Sequence, residues 1–330
     1  MDHGSPRRQT GRGAIVTFGE AMLRLTGPAG HRLEAAGRLE AHVAGAEANV
    51  AGALARLGVP AVWISSLPAN PLGDRVAAEL AAAGVDLTFV QRPPNGRLGL
   101  FFVEQGSAPR AARVWYDRRG SSFTRMNSFD ETALRHAGFA VVSGITPALG
   151  SRTRDLAQSF FTRAREAGAR LCLDVNYRAL LWRPAAARRG LAGLIDDADV
   201  VVCSERDAHV VFGVRDDGLD AAKSFARAWA PRAELVVLTL GERGSVLGAG
   251  DATFEQPAFA AGVVDRFGAG DAFFAGLLWG LWHGVGHAEA LRSAAMLASL
   301  KCTTVGDLAR FSSADLRSAL SGAEEGWVLR

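Results

Sequence analysis

Short apolar runs alternate with longer stretches of helical period along most of this chain. Ala14 to Phe18 reads as a first strand. Ala44 to Leu57 follows a helical pattern, with Val50, Leu54 and Leu57 on one face and Gly58 as its stop. Ala61 to Ser65 reads as a strand and Asp74 to Ala83 as a helix closed by Gly84. Further on, Phe139 to Val142, Arg170 to Asp174, Asp199 to Val202, Leu235 to Leu240 and Phe259 to Val264 read as strands. Ser151 to Ala167 is a helix ended by Gly168. Such alternation predicts an α/β fold, a mostly parallel sheet covered by helices on both faces. Ligands of these sheets bind beyond the carboxyl ends of the strands. The residues found there are Glu20, Asp174 to Arg178, Ser204 to Asp207, Gly241 and the turn at Gly268.

Two stretches break the pattern. Residues 31–43 are polar and mixed, and residues 98–121 carry strand-like pieces (Leu100 to Val103, Arg113 to Tyr116) with no helix between them. They predict a small β appendage over the open edge of the sheet. It is either a lid that excludes water from a reaction or a surface hairpin. Residues 1–13 read as a flexible tail ahead of a domain spanning residues 14–330, with the two lid segments inserted in it.

Composition narrows the partners. A chain of 330 residues with 48% hydrophobic and 22% charged content is ordinary for a globular protein with a well-buried core. The net charge of +3 is weak, only Lys223 and Lys301 are lysines, and the arginines are scattered, which argues against nucleic acid. Cys172, Cys203 and Cys302 show no metal spacing and read as reduced core or near-core residues in a cytoplasmic protein. The longest apolar run, Ala272 to Trp282, falls short of the roughly 18 to 20 residues that span a membrane. The histidines do not cluster as zinc ligands, and Trp229, Trp279 and Trp282 sit in apolar helical patterns as packing residues.

The stretch richest in chemistry is Gly268-Ala269-Gly270-Asp271, followed at once by an apolar helix. Small residues let a backbone turn tightly, and the helix adds unpaired N–H groups and the positive end of its dipole. The turn can therefore hold an anion beside a proton acceptor, as phosphoryl transfer needs. Asp271 capping its own helix is the other reading of the tetrad. A Walker A loop is excluded, since neither lysine follows a glycine, and a dinucleotide fingerprint fails because Phe273 stands where a third glycine belongs.

Val264-Asp265-Arg266-Phe267-Gly268-Ala269-Gly270-Asp271 resembles the C-terminal signature of the ribokinase-like, or PfkB, carbohydrate kinases, usually D-T-T-G-A-G-D. Ala44-Gly45-Ala46-Glu47-Ala48-Asn49-Val50-Ala51 resembles the N-terminal one, commonly G-G-A-x-x-N-x-A. The resemblance runs from about Ile15 to Asp307. It implies a three-layer α/β/α core with a small β-sheet lid, and transfer of the γ-phosphate of ATP, with Mg²⁺, to a sugar hydroxyl. Asp271 becomes the general base, and the N–H groups of Gly268, Ala269 and Gly270 the anion hole. Gly45 and Asn49 match sugar-contacting positions. On the nucleotide side, Thr239, Gly241 and Gly244 match a glycine turn, and Ser204 and Asp207 stand where many members carry Asn-x-x-Glu. Asp207 is thereby the expected Mg²⁺-side carboxylate, directly or through water. Arg266-Phe267 replaces Thr-Thr.

Asp174-Val175-Asn176-Tyr177-Arg178 resembles a segment of 2-keto-3-deoxygluconate kinases, as do Ser143 to Leu149 and Lys301 to Asp307. In that subfamily a lid Tyr and two Arg contact the acidic sugar, and the matching positions are Tyr116, Arg118 and Arg178. Guanidinium groups recognise carboxylates through paired, charge-assisted hydrogen bonds, which suits a sugar acid. The resemblance thus implies a kinase of the C6 hydroxyl of 2-keto-3-deoxygluconate. The alternatives are a kinase of a neutral sugar such as fructose or ribose, one of another sugar acid, and a non-catalytic sensor on the same fold. It also implies a homo-oligomer joined through the lid.

Overall fold

The computed structural model describes residues 13–106 and 108–325, so all but Gly13 of the expected tail lies outside the described residues. Two sheets organise the chain. The larger has nine strands in the order β13-β12-β11-β10-β9-β8-β1-β4-β5. These are β1 (Ala14–Phe18), β4 (Ala61–Ser66), β5 (Val90–Gln91), β8 (Ala137–Ser143), β9 (Arg170–Asp174), β10 (Val200–Ser204), β11 (Leu235–Thr239), β12 (Ser245–Ala249) and β13 (Ala252–Gln256). From β5 to β11 every neighbouring pair is parallel, and only the β12 and β13 edge runs antiparallel. The parallel strands are apolar on both sides because helices cover both faces. In β1, Ile15 points into one core, while Val16 and Phe18 point into the other.

Helices α1 (Ala46–Arg56), α2 (Pro71–Ala83), α8 (Ala269–His283), α9 (His287–Cys302) and α10 (Ser313–Glu325) lie on the first face. The second carries α3 (Ile145–Ala148), α4 (Ser151–Glu166), α5 (Pro184–Asp197), α6 (Glu205–Phe212) and α7 (Gly218–Trp229). Helix α2 begins where Asn70 accepts the N–H groups of Leu72 and Gly73 and Pro71 fills the first helical position. Helix α8 is buried from Ala272 to Leu281, almost all round, as expected of a helix at the centre of a layer. It lies close on α9, where a Cβ on Gly276 would come within 2.8 Å of Ala294 Cα. That contact plants the helix whose N-terminus carries the Gly268 turn.

The smaller sheet has the order β3-β2-β6-β7, from β3 (Glu40–Ala44), β2 (Met22–Thr26), β6 (Gly99–Glu104) and β7 (Arg113–Asp117). The expected three-layer α/β/α core with a small added sheet is borne out. Strand β2 enters that sheet unannounced by the sequence pattern, because Arg24 and Thr26 put polar atoms inside it. Two boundaries differ from expectation. Ala44 ends β3 instead of opening a helix, since α1 begins only after the turn at Gly45. Phe259–Val264 is not a strand: β12 and β13 form the sheet edge, and Val264 and Asp265 give their N–H groups to Cys302 O at 2.8 and 3.1 Å. Those amides serve the turn ahead of α8, not a ladder.

Candidate active site

The functional side chains gather beyond the carboxyl ends of β1, β9, β10 and β11, under one face of the small sheet. Gly268 opens α8 with φ +78°, a left-handed conformation, and an added Cβ would lie 1.9 Å from Asp307 O. Only glycine satisfies both conditions. A Cβ on Gly270 would meet nothing within 4 Å, so the space beside this amide is open. The first intrahelical bond runs from Ala272 N–H to Gly268 O at 2.9 Å, leaving the Gly270 and Asp271 amides at the helix mouth. Ala269 differs from expectation as an anion donor. Its N–H turns back to Arg266 O at 3.3 Å. The amide of Asp271 was missed by motif reading, which counts residues and not the direction of each N–H.

Asp271 is half-buried and receives Asn49 Nδ2 on Oδ2 at 2.7 Å. Asn49 is itself buried and anchored by its own N–H on Gly45 O at 2.7 Å. A Cβ on Gly45 would lie 2.3 Å from Glu20 O, so a larger residue would push α1 away from the end of β1. Burial raises the Asp271 carboxyl above its ordinary range, while the Asn49 hydrogen bond and the Arg178 and Lys301 charges oppose the rise. A carboxylate so placed can accept a proton from a hydroxyl set between it and the open amides. The hydrogen bond on the Asp271 side chain comes from Asn49 and not from the first amides of α8, against the helix-cap reading.

Arg178 is exposed on the loop after β9, within electrostatic reach of Asp174, Asp207 and Asp271. Its loop is fixed by Asn176, which holds φ +38° while its N–H and Nδ2 bond the two Asp174 oxygens at 3.1 and 3.0 Å. Burial and then the charge of Asp271 push Asp174 up to about 8. Asp207 is buried, accepts Tyr177 N–H at 3.2 Å, and is likewise raised by burial. Ser204 caps α6 by accepting Asp207 N–H at 3.0 Å, so Ser204 and Asp207 position each other. Asp174 and Asp207, at and just beyond the ends of β9 and β10, offer carboxyl oxygens, the ligand type a divalent cation takes, and burial favours the protonated form of both until a cation binds.

On the other side of Ser204, Thr239 pairs with it across β10 and β11. Gly241 has φ +63° and is exposed, and Gly244 has φ +112° with a Cβ position 2.1 Å from Gln256 O. Ion pairs tie this turn to its neighbours. Arg243 bonds Glu205, and Arg266 Nη2 bonds Glu242 Oε1 at 2.9 Å.

The small sheet turns Met22, Ala44, Phe101 and Val103 toward Phe267, with Tyr116 packed among them. Tyr116 packs against Phe101 with the rings tilted and their centres 5.5 Å apart, and the Arg118 guanidinium lies over the Tyr116 ring at 5.5 Å. Arg118 is buried and donates through Nε and Nη2 to Glu20 Oε2, the first at 2.9 Å, so only Nη1 stands outside that pair. Glu20 Oε1 is buried and has no partner among the described residues.

A charged cluster lies behind Phe267, centred on Arg24, which no motif flagged. Buried Arg24 reaches from β2 to Asp265 at 2.5 Å and to Asp307 at 2.8 Å, with its guanidinium 4.5 Å over the Phe267 ring. The available signal was an arginine inside an apolar strand pattern, Met22-Leu23-Arg24-Leu25. Glu47, buried in α1, accepts Ser143 N–H, Ser143 Oγ and Thr146 Oγ1, each at 2.8 Å, and burial pushes it up to about 7. It ties α1 to the end of β8. No helix among the described residues is long and apolar enough to cross a membrane.

The pfkB family of carbohydrate kinases matches residues 13–313. A 2-dehydro-3-deoxygalactonokinase of Haloferax volcanii is 40% identical over 315 residues, covering 94% of this chain and 98% of that protein. A 2-dehydro-3-deoxygluconokinase of Bacillus subtilis is 29% identical, covering 89% and 90%. The crystal structure of the 2-dehydro-3-deoxygluconokinase of Thermotoga maritima superposes with a TM-score of 0.88 at 32% identity, covering 94% of this chain and 98% of that one. The chain belongs to the pfkB family of carbohydrate kinases, phosphotransferases that act on a sugar hydroxyl with ATP as donor.

Proposed function

We propose that this protein transfers the γ-phosphate of ATP to the C6 hydroxyl of a 2-keto-3-deoxy hexonic acid, 2-keto-3-deoxygluconate first among them. The observation that carries this reading is Asp271, half-buried, held by Asn49 and set beside the open amide of Gly270. Asp271 takes the proton of the attacking hydroxyl as that oxygen reaches phosphorus. The Gly268, Gly270 and Asp271 amides and the α8 dipole meet the charge on the equatorial oxygens of the transferring group. Asn49 and Gly45 place the base and border the sugar. Thr239, Gly241 and Gly244 form the nucleotide side together with Ser204.

Mg²⁺ bound with the nucleotide would neutralise phosphate charge, and Asp207 is the residue to hold it, directly or through water, with Asp174 beside it. A sugar acid brings a carboxylate to this cleft. Arg178, exposed and facing three carboxylates, is its main partner, with Tyr116 and the free Nη1 of Arg118 on the roof.

The Haloferax volcanii relative supports a second acceptor, 2-keto-3-deoxygalactonate, the C4 epimer. A coupled ATP assay across both epimers, fructose and ribose tests the reading. Turnover confined to fructose or ribose would overturn the sugar-acid assignment, and ATP binding with no turnover on any sugar would favour a sensor.

The outer face of the small sheet supports self-association. Ala41, Leu25, Phe102 and Trp115 form one cross-strand row over all four strands, and Trp115 is 44% exposed. A solvent-facing apolar row of this kind fits pairing with a second copy.

A further inference from the structure

Lys301, one of two lysines in the chain, is 0% exposed in the last turn of α9. Burying an ammonium is costly unless the fold gives it partners. Here Nζ donates to Asp265 O at 2.8 Å and to Thr304 O at 3.2 Å. Those carbonyls belong to two turns that are joined elsewhere as well. Gly306 N–H bonds Asp265 Oδ2 at 3.1 Å, and the Gly268 backbone lies directly against Asp307 O. Asp265 is thus gripped at its amide by Cys302 O, at its side chain by Arg24 and Gly306, and at its carbonyl by Lys301. Three residues beyond it stands Gly268, the first residue of the anion turn.

We infer that Lys301 is a positioning residue for phosphoryl transfer, a fixed internal cation that locks the turn from Asp265 to Gly268 and so aims the open amides and Asp271. The inference rests on the kinase reading above and adds to it a residue outside both motif cores. A neutral donor would satisfy two carbonyls equally well, so the surroundings decide whether charge matters. Asp265, Asp307 and Cys302 face Lys301 with negative or ionisable groups, and Arg24 is the other cation. Asp271 feels the Lys301 charge together with Asn49 from α1 and Arg178 from the loop after β9. Asp174 and Asp307 are the carboxylates that face Asp271. Lys301 is one of two cations in that group favouring ionised Asp271, so its removal moves the acid limb of kcat/KM to higher pH.

Steady-state kinetics on Lys301→Met, Lys301→Gln and Lys301→Arg, with melting curves, test this. The neutral variants are expected to lose about tenfold or more in kcat, with the sugar KM little changed and the acid limb displaced upward, while Lys301→Arg keeps most of the activity. Wild-type kcat and an unmoved acid limb in either neutral variant would overturn the inference. So would a loss in Lys301→Arg as large as in the neutral pair, which would show that shape and not charge is at stake. If neither neutral variant folds, the charge serves folding instead of transfer, and the inference is likewise overturned. Absence of turnover in the wild type on any sugar would count against the kinase reading itself, a separate result.

Discussion

Alanine at Gly268 and alanine at Gly270 are expected to fail in different ways, though two positions separate them. At Gly268 an alanine must hold φ +78° and bring its Cβ to 1.9 Å from Asp307 O, where real Cβ contacts stay beyond 3.0 Å. The turn has to retreat by about 1 Å, and a displacement of that size near the chemistry costs about 10²-fold in rate. The left-handed conformation adds about 1–2 kcal/mol and the overpacking about 1–3 kcal/mol of instability. For a chain of this length that total lowers Tm by about 3–7 °C. At Gly270 the Cβ enters open space at a helical position, so the unliganded protein keeps its Tm. The methyl then stands where a phosphoryl oxygen would approach the amide. Losing one such donor costs about 10²–10³-fold in kcat. Calorimetry on the apo proteins and a coupled ATP assay read both effects. An unchanged Tm in Gly268→Ala would refute the close approach to Asp307. Wild-type kcat in Gly270→Ala would refute the assignment of that open space to the transferring group.

Asp271→Asn should cut kcat by about 10²-fold or more with ATP affinity retained, and near-normal kcat would remove Asp271 as the base. Arg178→Ala should raise KM for an acidic sugar far more than for a neutral one, because it deletes a carboxylate partner, and equal losses would make Arg178 structural. Glu47 is held at about 7 against an ordinary 4.5, so the folded state keeps a proton that the unfolded chain has given up. Its contribution, on the order of 3 kcal/mol, is fully present below pH 4.5 and lost as pH rises through about 7. Melting temperatures from about pH 5 to about pH 8 should therefore fall in the wild type and fall less in Glu47→Gln, and parallel slopes would contradict the placement. Trp115→Glu should convert a dimer to a monomer by light scattering, and an oligomer left intact would put its interface elsewhere.

The acidic and basic groups behind the site show why motif reading stops where it does. Arg24, Asp265, Lys301 and Asp307 come from β2, the turn before α8, the end of α9 and the turn after it. No spacing rule joins positions 24 and 307, and each alone resembles a solvated charge on an Arg-rich chain. Arg118 illustrates the reverse case. The resemblance offers it as a contact for the sugar acid, yet in the structure two of its nitrogens are taken by Glu20, 98 residues earlier.

The layered architecture was legible in the chain alone, because short apolar runs between amphipathic segments bury both faces of a parallel sheet by placing helices on each. The glycines of the Gly268 turn and the apolar helix after it were legible as well, being local features, although distant groups hold that turn in place. Strand β2 and the false strand at Phe259–Val264 were decided only in three dimensions, because strand formation depends on which edge is free to pair. The same holds for the state of each charge. Whether Asp271 has Asn49 as donor, whether Ala269 offers its amide, and what Lys301 holds depend on burial and direction, which arise only once the layers pack together.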